Sequence, residues 1–146
     1  MRSGMLKYIS IAVVLCVALV SVANAEPQGL LGLWRTQEEN GVVEMFRCGE
    51  AVCGRVIDAA SLRENPDQRD VHNGDEALRE RRVKGLVILQ DFTGGPRKWT
   101  GGPLYDPKTG DGAKSGSLTL KDGNTLKVKG CLVAFLCRTQ VWRRIE

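Results

Sequence analysis

The stretch LGLWRTQ, residues 31–37, decides the fold class of this chain, because of what stands at the other end of the sequence. It places Gly32 two residues before Trp34, at the start of the first run that is typical of a β-strand. The last such run, CRTQVWRRI, carries Arg143 and Arg144. In a closed antiparallel barrel the first and last strands pair, so we expect one arginine to lie on the Trp34 ring in a cation–π contact.

Strand alternation allows only one of these arginines to reach Trp34, since neighbouring side chains on a strand point to opposite faces. Trp142 shares a face with Arg144. Arg144 is therefore the predicted partner if Trp142 lies in the core, and Arg143 is the predicted partner if Trp142 lies outside. The alternative for Trp34 is a tryptophan that simply fills the core.

Turn signals divide the rest of the chain into short β-prone runs, with ENG at 39–41 and DGN at 122–124 as examples. The connections are mostly of hairpin length, which predicts an all-β fold, an antiparallel eight-stranded up-and-down barrel. A two-sheet sandwich is the alternative. The predicted strands are 31–37, 42–48, 52–58, 86–92, 98–105, 114–120, 124–131 and 137–144.

One connection, from Ala59 to Gly85, is long and polar. It contains DEALRER at 75–81, with acidic residues first and arginines last, which is the charge order that a helix dipole favours. We expect a short helix there, in a loop that is either functional or merely mobile. The single histidine, His72, and the basic run RERRVK at 79–84 are interpreted as solvated surface.

The first 25 residues have the parts of a secretory signal peptide. They carry Arg2 and Lys7, then an apolar run over 9–22, then an A-x-A motif at 23–25. The run is shorter than the ~20 apolar residues of a spanning helix, which disfavours a membrane anchor. We expect cleavage after Ala25 and no stable membrane span afterwards.

The mature chain, residues 26–146, is expected to be a single exported, periplasmic domain. Removal of two of the 21 basic residues with the signal peptide leaves 19 against 17 acidic residues, a net charge of about +2. Such a small excess of positive charge demands no nucleic acid partner.

Four cysteines remain after export, and an even number in an exported chain favours disulfides. CGEAVC at 48–53 and CLVAFLC at 131–137 each place two cysteines across a short hairpin loop, where facing residues come close enough for a disulfide. We predict the bonds Cys48–Cys53 and Cys131–Cys137. A zinc site is disfavoured because the spacings are not those of metal ligands, so no metal is expected.

Glu44, Arg55, Trp99 and Tyr105 are the candidate ligand-binding residues. Glu44 lies in VVEMF, whose two faces are both mainly apolar, so its carboxylate is predicted to point into the barrel and to pair with Arg55. An outward Glu44 on a patchy surface is the equal alternative. Trp99 and Tyr105 are an even number of positions apart on one predicted strand, so they share a face and either line a pocket or fill the core.

The Gly-x-Trp of the first strand and the arginine of the last resemble the pair with which lipocalins close one end of the barrel. A closer resemblance covers nearly the whole mature chain. It rests on GLWRT, VVEMFRCGEAVCGRV, the NPD loop, GLVILQDF, WTGGPLYDPKTG, GSLTL, LKVKGC and FLCRTQVWRR, in this order. These segments resemble a family of small exported bacterial proteins, the domain of unknown function number two thousand one hundred and forty-seven, which is regarded as lipocalin-like.

The resemblance implies a lipocalin-like barrel, export and the two cysteine pairs, and it supplies no activity. One departure is DGAK at 111–114, where an aromatic residue is expected before the Ser-Gly. This departure puts any aromatic packing at that position in doubt.

The chain contains no nucleophile elbow, phosphate loop or dinucleotide fingerprint. We therefore predict a protein that is not an enzyme, uses no cofactor and holds a small, largely apolar ligand in the periplasm. The alternative is an envelope protein-interaction or structural module with a filled barrel, and the internal volume separates the two. An enzyme with Glu44 or Asp106 as acid or base is the third interpretation.

Overall fold

The structure, a computed structural model, describes residues 29–145. The predicted signal peptide and its cleavage site after Ala25 lie outside the described residues. The described part contains ten strands, one short helix and one 3-10 turn at Glu76–Leu78. In chain order the other elements are β1 (Gly32–Arg35), β2 (Val42–Cys48), β3 (Ala51–Asp58), α1 (Ala60–Glu64), β4 (Val87–Gly94), β5 (Lys98–Gly101), β6 (Leu104–Asp106), β7 (Asp111–Ala113), β8 (Ser115–Asp122), β9 (Thr125–Val133) and β10 (Leu136–Arg144).

Eight of these strands form a closed antiparallel ring. Around the ring they follow the order β1, β2, β3, β4, β5, β8, β9 and β10, and the pairing of β10 with β1 closes it. The predicted eight-stranded up-and-down barrel is therefore confirmed. The other two strands, β6 and β7, form a hairpin that pairs with β4 at Leu89 and Leu104.

The prediction of one continuous strand over 98–105 is wrong, because the chain breaks after Gly101. Gly102 has a φ of 145°, and a Cβ at this position would stand 2.5 Å from the Lys114 carbonyl oxygen, so only glycine fits. Pro103 has no N–H with which to continue the ladder. The break separates β5 from the β6–β7 hairpin.

The alternation along β2 shows which face of VVEMF is the inner one. Val43 and Met45 are buried in the core, whereas Glu44 is only half-buried and belongs to the opposite face. The core of the barrel is built from such alternating apolar side chains. Its largest fully buried members are Trp34, Phe92, Leu30, Met45, Leu118 and Leu126.

The long connection between β3 and β4 contains less helix at 75–81 than predicted. Only Glu76–Leu78 form a 3-10 turn, whose first turn is capped by the Asp75 carboxylate accepting from the Ala77 N–H. The turn cannot extend into a helix over 79–81, because the Asp70 N–H donates to the Arg81 carbonyl and holds that segment extended. The helix that does form in this connection, α1, was not predicted.

The barrel has two distinct ends. The Trp34 end carries the β2–β3, β4–β5 and β8–β9 turns, and the opposite end carries the β1–β2 turn, the long connection, the β6–β7 hairpin and the β9–β10 turn. Both predicted disulfides are present, with Cα–Cα separations of 5.8 Å for Cys48–Cys53 and 4.0 Å for Cys131–Cys137. The first clamps a hairpin at the Trp34 end and the second clamps a hairpin at the opposite end.

Candidate functional site

A cavity of about 750 Å³ opens at the end of the barrel opposite Trp34. Its floor is apolar, because the inward side chains of the ring strands converge there, and this volume falls within the ~300–1,000 Å³ that is usual for small-molecule sites. The apolar lining residues include Val43, Val56, Ile88, Leu89, Leu104, Val128 and Trp142.

The mouth of the cavity is polar and carries charges of both signs. Lys108 pairs with Glu39 at 2.5 Å, and this hydrogen bond raises the pKa of the Lys108 ammonium. Arg138 lies 4.0 Å from Asp106. The apolar interior of the cavity therefore lies behind a mouth that carries two pairs of opposite charges. Other polar residues that line the cavity are Thr36, Glu38, Asp58, Ser61, Gln68, His72, Asp111 and Gln140.

A buried carboxylate, Asp70, anchors the long connection to the cavity wall. It accepts hydrogen bonds from the Tyr105 hydroxyl at 2.5 Å, from Asn73 Nδ2 at 2.9 Å, and from two guanidinium nitrogens of Arg81 at 2.9 Å each. Asp70 is fully buried, so its charge depends on these donors. The Arg81 guanidinium also lies 5.6 Å from the centroid of the Tyr105 ring.

Burial, followed by the hydrogen bond to Asp70, raises the pKa of Tyr105 to about 12. The hydroxyl therefore stays protonated at neutral pH and acts as a donor. Sequence reasoning selected Tyr105 for another reason and did not single out Asp70. The interpretation of RERRVK as solvated surface is wrong at Arg81, which binds the buried Asp70. No periodic signal could have found them, because both lie in an irregular loop and their partner is distant in the chain.

Among residues 29–145, Gln68 carries a buried side-chain oxygen whose hydrogen-bonding requirement is unmet. Its Oε1 is buried and has no hydrogen-bond partner among residues 29–145. Gln68 also lines the cavity. A buried acceptor without a donor is costly, so this oxygen lowers the stability of the fold.

Glu44 and Arg55 do not line the cavity. They form the predicted ion pair, with Arg55 Nε donating to Glu44 Oε2 at 2.7 Å, but the pair lies on the outer face of β2 and β3. The Arg55 guanidinium stacks 4.8 Å above the centroid of the Phe46 ring. The prediction that Glu44 points into the barrel is therefore wrong, and Val43 and Met45 take the inward positions instead.

Trp99 and Tyr105 lie at opposite ends of the barrel, so the prediction that one continuous strand carries both is wrong, although both side chains pack against the core. Trp99 lies at the Trp34 end, in the lining of a smaller cavity of about 490 Å³, together with Leu30 and Phe92. Tyr105 lies beyond the break at Gly102 and lines the larger cavity. Of the four predicted ligand-binding residues, Tyr105 is the one that the structure places in the larger cavity.

At the other end of the barrel, Trp34 is fully buried and its indole N–H donates to the Leu30 carbonyl at 2.9 Å. The Arg144 guanidinium lies 4.3 Å from the centroid of the Trp34 ring. Trp142 is buried, which is the condition under which alternation selects Arg144. Arg143 points elsewhere and donates to Thr125 Oγ1 at 2.6 Å.

Within residues 29–145, Cys48, Cys53 and Asp91 form the group whose ligand atoms are close enough together to hold a metal ion. The two sulfur atoms are bonded to each other, so they offer no thiolates. This arrangement of residues therefore does not fit a metal site.

Comparison with known proteins agrees with the fold. A solved structure, protein HP1028 from the human pathogen Helicobacter pylori, described as belonging to the lipocalin family, matches with a TM-score of 0.71. The two chains are 23% identical, and the match covers 80% of this chain and 83% of that chain. The comparison with curated proteins gives no match.

No helix in the described part of the chain is long and apolar enough to cross a membrane.

Residues 32–144, which include every strand of the barrel, match the sequence profile of a family described as "Uncharacterized protein conserved in bacteria (DUF2147)". The chain belongs to this DUF2147 family, and its fold is that of a lipocalin-like barrel.

Proposed function

We propose that this protein binds a small, largely apolar ligand in the cavity opposite Trp34, without catalysing a reaction. The observation that carries the proposal is the cavity itself, about 750 Å³ in volume with an apolar floor inside the ring of strands. Small barrels either fill their interior with side chains or hold one ligand. An open interior favours ligand binding over the alternative, an envelope module with a filled barrel.

The lining supports a ligand with one polar end. The floor is built from aliphatic side chains and Trp142, whereas the mouth carries paired charges. Apolar area would supply most of the binding free energy, and the polar end of the ligand would lie among the charges of the mouth. A single-chain amphiphile with a hydroxyl or protonated carboxyl group has this chemistry.

The place of action that we propose is the periplasm. The two disulfides are compatible with an oxidising compartment, and the basic, apolar and small-residue regions of the first 25 residues are those of a signal peptide. The partner in this proposal is the small ligand and not a nucleic acid.

Displacement of a fluorescent fatty-acid probe from the purified protein tests the proposal. Ala113 lines the cavity, so Ala113→Trp places an indole in the space that the ligand would occupy. The matched control is Ala77→Trp, which adds the same side chain at an exposed position of the 3-10 turn. Val56→Phe is a second filling variant, on β3, in case the first does not fold.

We expect the wild type and Ala77→Trp to bind the probe equally, and we expect the filled variants to bind at least tenfold more weakly. If folded Ala113→Trp and Val56→Phe both bind the probe as tightly as the wild type, the cavity is not the binding site.

A further inference from the structure

The β9–β10 hairpin ends in an exposed group of apolar side chains, Leu132, Val133, Phe135 and Leu136, which we call the apolar tip. The exposed fractions are 57% for Leu132, 51% for Val133, 90% for Phe135 and 56% for Leu136. Isolated exposed apolar residues are ordinary, but a contiguous group of this kind marks an interaction surface.

The protein holds this tip outward with a covalent clamp. Cys131 and Cys137 form a disulfide directly beneath it, and Val133 pairs with Leu136 above the disulfide. The five residues between the cysteines are too few to fold back over the body of the barrel. The apolar tip is therefore presented in a constrained conformation, which lowers the entropy cost of binding.

The tip stands at the mouth of the ligand cavity. Leu132 and Leu136 belong to the cavity lining, whereas Phe135, the most exposed of the group, does not. Whatever covers the tip therefore also lies against the entrance to the apolar interior.

Three basic residues lie near the base of the tip, and one of them, Arg138, also faces Asp106. Arg138 lies opposite Gly130 in the β9–β10 register, and Lys129 is the preceding residue on β9. Lys114 comes immediately before Ser115, which lies opposite Cys131 on β8. An apolar protrusion with cations behind it is complementary to a bilayer, because its apolar part enters the acyl boundary while the cations meet anionic headgroups.

The size of the tip argues against a second protein as its occupant. A stable protein–protein interface uses roughly 20–30 residues on each side, whereas the clamped loop offers five. The tip is also convex, so it cannot receive a peptide as a groove would. A lipid surface needs no matching contour and accepts a small protrusion.

We propose that the apolar tip docks the protein on an anionic lipid bilayer and holds the mouth of the cavity against the membrane surface. Docking is inferred only from the apolar tip and the basic residues near it. Its consequence rests on the proposed ligand-binding function, since an apolar ligand could then pass between the bilayer and the barrel without entering water.

The docking test is flotation of the mature protein with vesicles made of equal parts of phosphatidylcholine and phosphatidylglycerol, compared with vesicles of phosphatidylcholine alone. The variants are Phe135→Ser and Leu132→Ser, each of which removes an apolar side chain from the tip. The matched control is Leu31→Ser, the same change at an exposed leucine at the Trp34 end.

We expect the wild type and Leu31→Ser to float with the mixed vesicles, and each tip variant to bind them at least tenfold more weakly. A double variant with Lys114→Gln and Arg138→Gln should lose the preference for phosphatidylglycerol, as should the wild type in high salt. Wild-type protein that does not bind these vesicles, or tip variants that bind as the wild type does, would overturn the proposal. A stable dimer in solution that Phe135→Ser dissociates would also overturn it, because the occupant would then be a second copy.

Docking and ligand binding can fail separately. Phe135→Ser should bind the fluorescent fatty-acid probe in solution with unchanged affinity, since Phe135 lies outside the cavity lining. The same variant should take up the probe from preloaded mixed vesicles at least tenfold more slowly than the wild type. Uptake from vesicles at the wild-type rate would contradict the docking proposal while leaving the proposed ligand site intact.

Discussion

The Tyr105 hydroxyl donates a hydrogen bond of 2.5 Å to Asp70 across 35 positions of the chain. This bond joins the irregular connection between β3 and β4 to the β6–β7 hairpin, and both segments form walls of the cavity. Asp70 is fully buried, and its further bonds with Asn73 and Arg81 hold the connection together internally. The hydrogen bond therefore ties two walls of the cavity mouth to each other.

Asp70→Asn should destabilise the fold by about 2–3 kcal/mol, because hydrogen bonds to a buried charge are lost and Arg81 loses its partner. The matched control is Asp67→Asn in the same connection, whose exposed carboxylate pairs with Arg82 and should contribute less than about 0.5 kcal/mol. Urea denaturation of the two variants measures the difference. Equal midpoints for both variants would mean that Asp70 does not anchor the connection.

The stability of the protein should fall as the pH rises from 10 towards 12. The pKa of Tyr105 is raised from 10.0 to about 12 in the folded state, so folding favours the protonated phenol. This contribution is fully present below the unfolded pKa and is lost as the pH rises through the folded one. Tyr105→Phe should remove this part of the pH dependence, which denaturation at several alkaline pH values would detect.

The same pKa can be read directly. The sequence has two tyrosines, Tyr8 and Tyr105, and the first lies in the predicted signal peptide, so phenolate absorbance of the mature chain reports Tyr105 alone. We expect a midpoint near 12 for the folded protein and near 10 in urea. A folded midpoint near 10 would contradict the buried hydrogen bond to Asp70.

Replacement of the residues at the Trp34 end should produce a graded series. Trp34→Ala should cost about 3–5 kcal/mol as a large buried aromatic side chain. Arg144→Ala should cost about 2 kcal/mol, since it removes the cation–π contact and the hydrogen bonds to the carbonyls of Gly29, Leu31 and Gly123.

Arg143→Ala completes this series as the neighbouring control. It removes the bond to Thr125 and an exposed attraction to Asp122, and it should cost less than about 1 kcal/mol. If denaturation shows that Arg143→Ala lowers the free energy of unfolding as much as Arg144→Ala does, the contact between Arg144 and the Trp34 ring adds no measurable stability.

The proposed export predicts the N-terminal residue of the mature protein. Protein recovered from the periplasm should begin at Glu26, because the A-x-A motif ends at Ala25. N-terminal sequencing checks this. Periplasmic material that begins at Met1 would rule out cleavage at that position.

The barrel could be predicted because its signals are local. Turn residues separate the strands, and each disulfide joins cysteines that are five or six positions apart across one hairpin. The pairing of Trp34 with Arg144 required only that the ring closes and that side chains alternate. These rules do not depend on how distant loops pack.

The candidate site could not be predicted for physical reasons. Both faces of VVEMF are mainly apolar, so alternation alone could not decide that Glu44 points outward. The orientation of Trp99 relative to Tyr105 was inferred from a continuous strand, which the positive φ of Gly102 interrupts. Asp70 meets Tyr105 through the packing of an irregular loop, and no sequence period encodes such packing.

The central claim, that the cavity holds an apolar ligand, is tested most directly by native mass spectrometry of protein isolated from the periplasm. The account predicts that the wild type carries a bound small molecule, that Ala77→Trp carries the same molecule, and that folded Ala113→Trp carries none. Wild-type protein that is always free of bound molecules, or the same bound molecule on Ala113→Trp as on the wild type, would contradict it.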